Sequence, residues 1–179
     1  MPDRPLLMLD VDGPIAPYVG SPYRRPEGYL TYRVESQAWR QRQREAGIRN
    51  PKPLRVWLHP EHGPSLLALP YDPVWATTWR AEANEHLAGL LGLPQLPYVD
   101  WESMHHADPD GLHWKTRQLV AWAAGRPFAW VDDEIEPQDT EWIAAHHPAP
   151  ALTLTVDHRY GLRAEDFAQL ADWAEEIGR

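Results

Sequence analysis

The sequence predicts an α/β domain, a parallel β-sheet flanked by helices. Three observations carry this expectation. The run Leu6-Leu7-Met8-Leu9 is apolar throughout, as in a strand buried on both faces. From Pro60 onward, short strand-like runs alternate with helical patterns. Glycine and proline stand at the ends of the helical patterns, as in Gly92 with Pro94 and Gly125 with Pro127.

The elements follow in order. Leu6 to Leu9 is the first strand. Residues 13 to 53 are rich in Pro, Gly, Tyr and Arg and show no strong period. There, Tyr29 to Val34 is expected to pair with Arg55 to Leu58 as a hairpin, and Ser36 to Ala46 to form a polar helix. Gly63 to Leu69 reads as a short helix and Val74 to Thr77 as a strand. Residues 79 to 91 form a helix with Ala83, Leu87, Leu90 and Leu91 on one face. Tyr98 to Trp101 reads as a short strand. Asp110 can cap a helix from Leu112 to Ala124. Phe128 to Val131 is a strand, Gln138 to Ala145 a helix, and Leu152 to Val156 a strand. Ala164 to Ile177 closes the chain as a helix with Phe167, Leu170, Ala171 and Ala174 inward.

Composition bounds the class. The 179 residues suit one domain with a proper core. No apolar run approaches the ~20 residues of a membrane span. The N-terminal residues lack a signal-peptide core, so a cytoplasmic protein without membrane association is expected. The absence of cysteine excludes disulfides and thiolate metal sites. Net charge is -9, which argues against a general nucleic-acid coat protein. Yet residues 24 to 55 hold nine of the 17 basic residues and three of the 26 acids, so that segment is +6 and the remainder -15. Such asymmetry points to an anionic partner.

In a parallel sheet the C-terminal strand ends share one edge, and ligands bind there. Asp10 and Asp12 end the first strand, Thr77 and Thr78 the second, and Asp132 and Asp133 the strand from Phe128. Lys115 lies about one turn inside the helix that leads into that strand. If the strands are adjacent, four carboxylates, two hydroxyls and one ammonium converge. Four crowded carboxylates cannot all ionise without a cation. Oxygen-only ligands suit a hard divalent ion such as Mg²⁺. A carboxylate at a strand tip can attack phosphorus. A second, two residues on, points to the same side and can serve as acid and base. Gly13 lets the chain turn sharply away.

Four segments in this order, Asp10-Val11-Asp12-Gly13, "VWATTW", "HWKTRQ" and "FAWVDDE", resemble the haloacid dehalogenase (HAD) superfamily of phosphohydrolases. The stretch from Val56 to Trp101 looks like the HAD domains grouped with bacterial RNA-repair proteins. The resemblance implies a HAD-like Rossmannoid core over residues 1 to 13 and 54 to 179, with a cap or flap at 14 to 53. It implies Mg²⁺-dependent hydrolysis of phosphate monoesters through an aspartyl-phosphate. Asp10 would be the nucleophile and Asp12 the acid and base. Thr77 would hold a phosphate oxygen, with Thr78 as helix cap or second contact. Lys115 would neutralise nucleophile and phosphate. Asp132 or Asp133 would hold the metal with Asp10, Asp12 and the Val11 carbonyl. The substrate would be a phosphorylated small molecule or a nucleic-acid end; the alternative is a binding module without turnover. Arg24, Arg25 and Arg33 are expected over Asp10, and the Arg40 to Arg44 run in solvent. Trp39, Trp57 and Tyr29 could stack on bases or simply pack the insert on the core.

Other patterns carry less. An EF-hand at Asp10 fails, because Pro14 and Ile15 take the fifth and sixth loop positions and Ser21 the twelfth. His59-Pro60-Glu61-His62 lacks the spacing of a helical zinc site. Asp108-Pro109-Asp110-Gly111 is a second Asp-x-Asp-Gly, but no apolar strand precedes it. It reads as a turn and helix cap.

Overall fold

Leu6, Leu7, Met8 and Leu9 are at most 2% exposed, because this run lies inside a four-stranded parallel sheet. The computed structural model describes residues 4–19, 24–106 and 108–179. In chain order the elements are β1 (Leu6–Leu9), β2 (Leu30–Val34), α1 (Gln37–Glu45), β3 (Leu54–Leu58), α2 (His62–Ala68) and β4 (Asp72–Trp75). Then come a helical run α3 (Ala81–Ala83, Asn84–Ala88 and Gly89–Leu91), α4 (Thr116–Ala123), β5 (Phe128–Asp132), α5 (Pro137–His146), β6 (Ala151–Thr155) and α6 (Ala164–Ile177). The sheet order is β4-β1-β5-β6, all parallel.

The pleat sends alternate residues to opposite faces. Leu7, Leu9, Ala129 and Val131 meet α2, α3 and α6 through Leu66, Leu87, Leu91 and Leu170. Leu6, Met8, Phe128 and Trp130 meet α4 and α5 through Leu119, Ala123 and Ile143. Both faces are therefore covered, and β1 must be apolar at every position. Each such side chain contributes about 1.5–3 kcal/mol by burial.

The expected hairpin is present: β2 and β3 pair antiparallel, with Leu30 opposite Leu58 and Arg33 opposite Arg55. Ser36 caps α1, its Oγ accepting from Trp39 N (3.1 Å). Val34, Val56 and Leu58 anchor this insert to the core.

Three local expectations are corrected. Tyr98 to Trp101 is no strand. It makes one bridge to Trp75, with Trp75 N donating to Pro97 O and Val99 N to Trp75 O, both at 2.9 Å. The Asp72 and Ala76 N–H groups bond to Pro5 and Leu9 on β1, so the main-chain nitrogens of Pro73 and Trp75 point to the other side of β4, and Pro73 has no N–H to extend the ladder. Leu90 is exposed rather than inward. The middle of α3 is a π turn over Asn84–Ala88, which widens the spacing so that Ala83, Leu87 and Leu91 share the buried face. Finally, α4 starts at Thr116, not Leu112. Asp139 Oδ1, from α5, accepts from His113 N (2.8 Å) and Thr116 Oγ1 (2.6 Å), and so fixes the start that Asp110 was expected to cap. Lys115 is thus the residue immediately before the helix. Among the described residues, no helix is long and apolar enough to cross a membrane.

Candidate active site

β1 lies between β4 and β5, so three strand ends meet. Leu9 is in register with Trp75 and Val131, and Asp10 N donates to Val131 O (2.9 Å). Asp10 and Asp132 therefore emerge side by side. Lys115 reaches both from the start of α4. Its Nζ lies 3.2 Å from Asp10 Oδ2 and 2.7 Å from Asp132 Oδ2. All three side chains are buried.

Asp132 is already held from several sides. Oδ2 also accepts from Trp130 Nε1 (3.1 Å), and Oδ1 accepts from Glu134 N (3.1 Å). Asp133 instead opens on a cavity and accepts from the Tyr18 hydroxyl at 2.7 Å. One carboxylate oxygen each from Asp10, Asp132 and Asp133 can be chosen so that all lie within 4.8 Å of one another. That spacing, with oxygen donors only, fits a hard divalent cation.

Asp12 stands apart from this triad. Its Oδ2 accepts from Trp79 Nε1 at 3.1 Å. The side chain is exposed on the cavity, and the walls around it remove part of its hydration. Its carboxyl is consequently raised from the ordinary range, with the Trp79 hydrogen bond, Lys115 and Arg42 opposing the shift. That direction favours holding a proton. Burial also raises Asp10 well above its usual value; Lys115 opposes this, and Asp132 and Asp12 reinforce it. For Lys115, burial works against the charge, but Asp10 and Asp132 outweigh it and hold the ammonium above its ordinary range. One ammonium cannot neutralise all the neighbouring carboxylates, so burial prevails at Asp10.

The cavity above these groups measures about 520 Å³. Its floor includes Asp10, Asp12, Lys115, Asp133 and Thr78; Trp79 and Trp114 line it from the core, Tyr18, Trp39, Arg42 and Gln43 from residues 14 to 53, and Arg55 from β3.

Of the two threonines, only Thr78, expected as helix cap or second contact, is among the cavity's described lining residues; Thr77, expected as the phosphate contact, is not. Thr77 is fully buried; its Oγ1 accepts from Trp79 N (3.3 Å), and its carbonyl accepts from Trp101 Nε1 (2.9 Å). Thr78 lines the cavity. The Val11 carbonyl is also taken, by Ile15 N (3.1 Å) and Ala16 N (2.8 Å), so it is a poor cation ligand. The tight turn after Gly13 draws those amides back onto the strand end.

The insert covers the site, but not through the expected arginines. Arg42 and Arg55 line the cavity; Arg24, Arg25 and Arg33 are not among its described lining residues. Arg25 donates to Thr31 Oγ1 (3.2 Å) on the hairpin, and Arg33 sits opposite Arg55. The helix and the second hairpin strand face the cavity, whereas the hairpin's entry does not. Of the aromatic candidates, Tyr29 and Trp57 are buried in the fold, and Trp39 lines the cavity.

Trp79 and Tyr18 escaped the sequence reading. Each donates a hydrogen bond to a carboxylate distant in sequence, and no short motif marks either for that role. A signal existed only for Trp79, two residues beyond the strand-end threonine.

No protein-family model matches the chain, and no curated protein or solved structure does either.

Proposed function

We propose that this chain hydrolyses phosphate monoesters with a divalent cation, in the manner of the HAD superfamily. The observation that carries the reading is the pairing of Asp10 with Lys115 at a parallel strand end, on the floor of a cavity lined on one side by the insert. Asp10 attacks phosphorus; a P–O bond forms on its carboxylate, and the bond to the leaving oxygen breaks. Asp12 gives its proton to that oxygen. It then takes a proton from water, whose oxygen attacks phosphorus and returns Asp10 as free carboxylate. Lys115 offsets the charge gathered at Asp10 and the phosphoryl oxygens. Thr78 donates to one of those oxygens.

Asp10 and Asp133 would hold the cation, with Asp132 behind them bracing Lys115. Magnesium fits this set of oxygen donors, and when bound it supplies positive charge that draws the phosphate to the carboxylates. The Asp12 carbonyl, which accepts no hydrogen bond among the described residues, is the main-chain candidate in place of Val11. What supports turnover over mere phosphate binding is Asp12, which a binding site does not need and which Trp79 holds away from the triad.

The test is hydrolysis of p-nitrophenyl phosphate by the purified chain with Mg²⁺. Phosphate release with a covalent phosphoryl group on Asp10 is expected. Absence of turnover of this and other phosphomonoesters, with Mg²⁺, Mn²⁺ or Co²⁺ supplied, overturns the reading.

A further inference from the structure

Arg42 on α1 and Arg55 on β3 line the same cavity as Asp10. Arg40, Arg80, Arg117 and Arg126 each sit within ion-pair distance of a carboxylate. Arg42 and Arg55 have no such partner among the described residues. Lys115, the remaining cation on the cavity, is held by Asp10 and Asp132. Two guanidiniums with no carboxylate at ion-pair distance among the described residues therefore line a concave site whose own lysine is engaged; Arg55 lies 5.2 Å from the centre of the Trp57 ring, and Arg42 is near enough to Asp12 to act on its carboxyl. We propose that the substrate's leaving group carries a second anionic group of the phosphate type, bound by Arg42 and Arg55; this rests on the phosphomonoesterase reading.

The geometry favours this over a neutral leaving group. A guanidinium fork matches phosphate oxygens in a bidentate way, and two forks from different elements fix its position. The reacting phosphate meets Lys115 and the triad on the floor, so the arginines are left for the far end of the substrate. Gln43 adds an amide beside Arg42, and Trp39 offers a rigid apolar wall, its indole N–H anchored on Lys52 O (3.1 Å). A cavity of about 520 Å³ lies within the usual range for small-ligand sites. It accommodates a sugar or nucleoside with a phosphate at each end. The terminal phosphate of a nucleic acid presents the same chemistry, its next phosphodiester being the second anion.

The experiment compares kcat/KM for p-nitrophenyl phosphate, glucose 6-phosphate, fructose 1,6-bisphosphate, a nucleoside 3′,5′-bisphosphate and a short 5′-phosphorylated oligonucleotide. Esters with a second phosphate should exceed the others by about 10- to 100-fold, the range of a charge-assisted contact. Arg42→Ala and Arg55→Ala should each collapse that ratio. Arg44→Ala and Arg49→Ala, exposed residues of the same insert, should leave it intact. Preference for the oligonucleotide identifies a nucleic-acid end, and preference for a bisphosphate a small molecule; either supports the proposal. Equal efficiency on all esters overturns it. So does a uniform loss in Arg42→Ala and Arg55→Ala, which would mean that the arginines merely offset the floor carboxylates. Calorimetric binding of the bisphosphate to Asp10→Asn separates this proposal from the hydrolase reading. If the chain turns over no ester but Arg42→Ala in that background still weakens binding about 10-fold or more, the second-anion site stands and the hydrolase falls. If p-nitrophenyl phosphate is hydrolysed and binding is insensitive to Arg42 and Arg55, only the second-anion site falls.

Discussion

Asp-x-Asp-Gly occurs twice in this chain, at residues 10 to 13 and at 108 to 111. In the first copy, Asp10 is buried, faces a buried lysine and has its carboxyl raised chiefly by burial. In the second, Asp108 accepts from Arg117 Nε (2.7 Å), and Arg117 also reaches Asp110. That hydrogen bond, with one from Asp110 N, lowers the Asp108 carboxyl from its usual value. Both glycines have positive φ, 95° at Gly13 and 77° at Gly111. Their surroundings differ. A Cβ on Gly13 would meet Asp133 Cγ at 2.6 Å, whereas one on Gly111 would meet nothing nearer than Gln138 Nε2 at 3.9 Å. The four letters encode a turn in both places. The difference is the segment that precedes them. Four apolar residues carry Asp10 into the sheet; Asp108 follows an irregular loop and stays near water.

The largest contrast is expected in catalysis. Asp10→Asn is nearly isosteric but cannot form an acyl phosphate, so p-nitrophenyl phosphate turnover should fall at least about 10³-fold with the fold retained. Asp108→Asn should stay within about twofold. An Asp10→Asn rate within about tenfold of the parent, ~1.4 kcal/mol of barrier, removes the nucleophile assignment.

Cation dependence should follow the same division. Excess chelator should silence turnover, and Mg²⁺ should restore it. At about 100 times its dissociation constant, Mg²⁺ should stabilise the chain by about 2.7 kcal/mol, or about 5–10 °C in Tm. Asp133→Asn should abolish that thermal shift, and Asp110→Asn should preserve it. A shift carried by Asp110 would place the cation at the wrong copy.

Trp79→Phe removes the indole donor from Asp12 but keeps an aromatic wall. An alkyl phosphate, whose leaving group needs a proton, should lose about 10- to 100-fold in kcat. p-Nitrophenyl phosphate, whose leaving group does not, should lose less than about threefold. Equal losses would make Trp79 a packing residue only.

Alanine at either glycine meets the cost of positive φ, about 1–2 kcal/mol. Gly13→Ala should exceed Gly111→Ala, by about 1 kcal/mol or more, because it also displaces Asp133. Denaturant unfolding of both variants checks this, and equal costs would argue against the close approach. The smallest effect belongs to Asp108. Its carboxyl is lowered, so its contribution is present above the ordinary carboxyl pKa of ~3.9 and is lost as pH falls below it. Asp108→Asn should lower Tm by no more than about 2 °C at neutral pH, and that difference should shrink as the pH falls below the ordinary carboxyl range.

Much of this was legible in the sequence, since it depends on neighbours along the chain. Four consecutive apolar residues mean burial on two faces, which yields β1. Ser36 before a polar run yields the α1 cap, and alternating strand and helix signals yield a parallel sheet with Asp10, Lys115 and Asp132 at one edge. What only the tertiary structure decided depends on contacts between distant segments. Asp139 moved the start of α4 to Thr116, and the π turn in α3 turned Leu90 outward. The turn after Gly13 returned Ile15 and Ala16 to the Val11 carbonyl. Thr78 rather than Thr77 met the cavity, and Trp79 became the hydrogen-bond donor to Asp12. The insert's arginines were sorted the same way, because the docking of α1 and β3 on the core set Arg42 and Arg55 on the cavity's rim and wall. Composition records that the insert is basic. It carries no period from which to read the facing side, since α1 buries no residue of its own and its orientation is set by the hairpin that Val34, Val56 and Leu58 anchor.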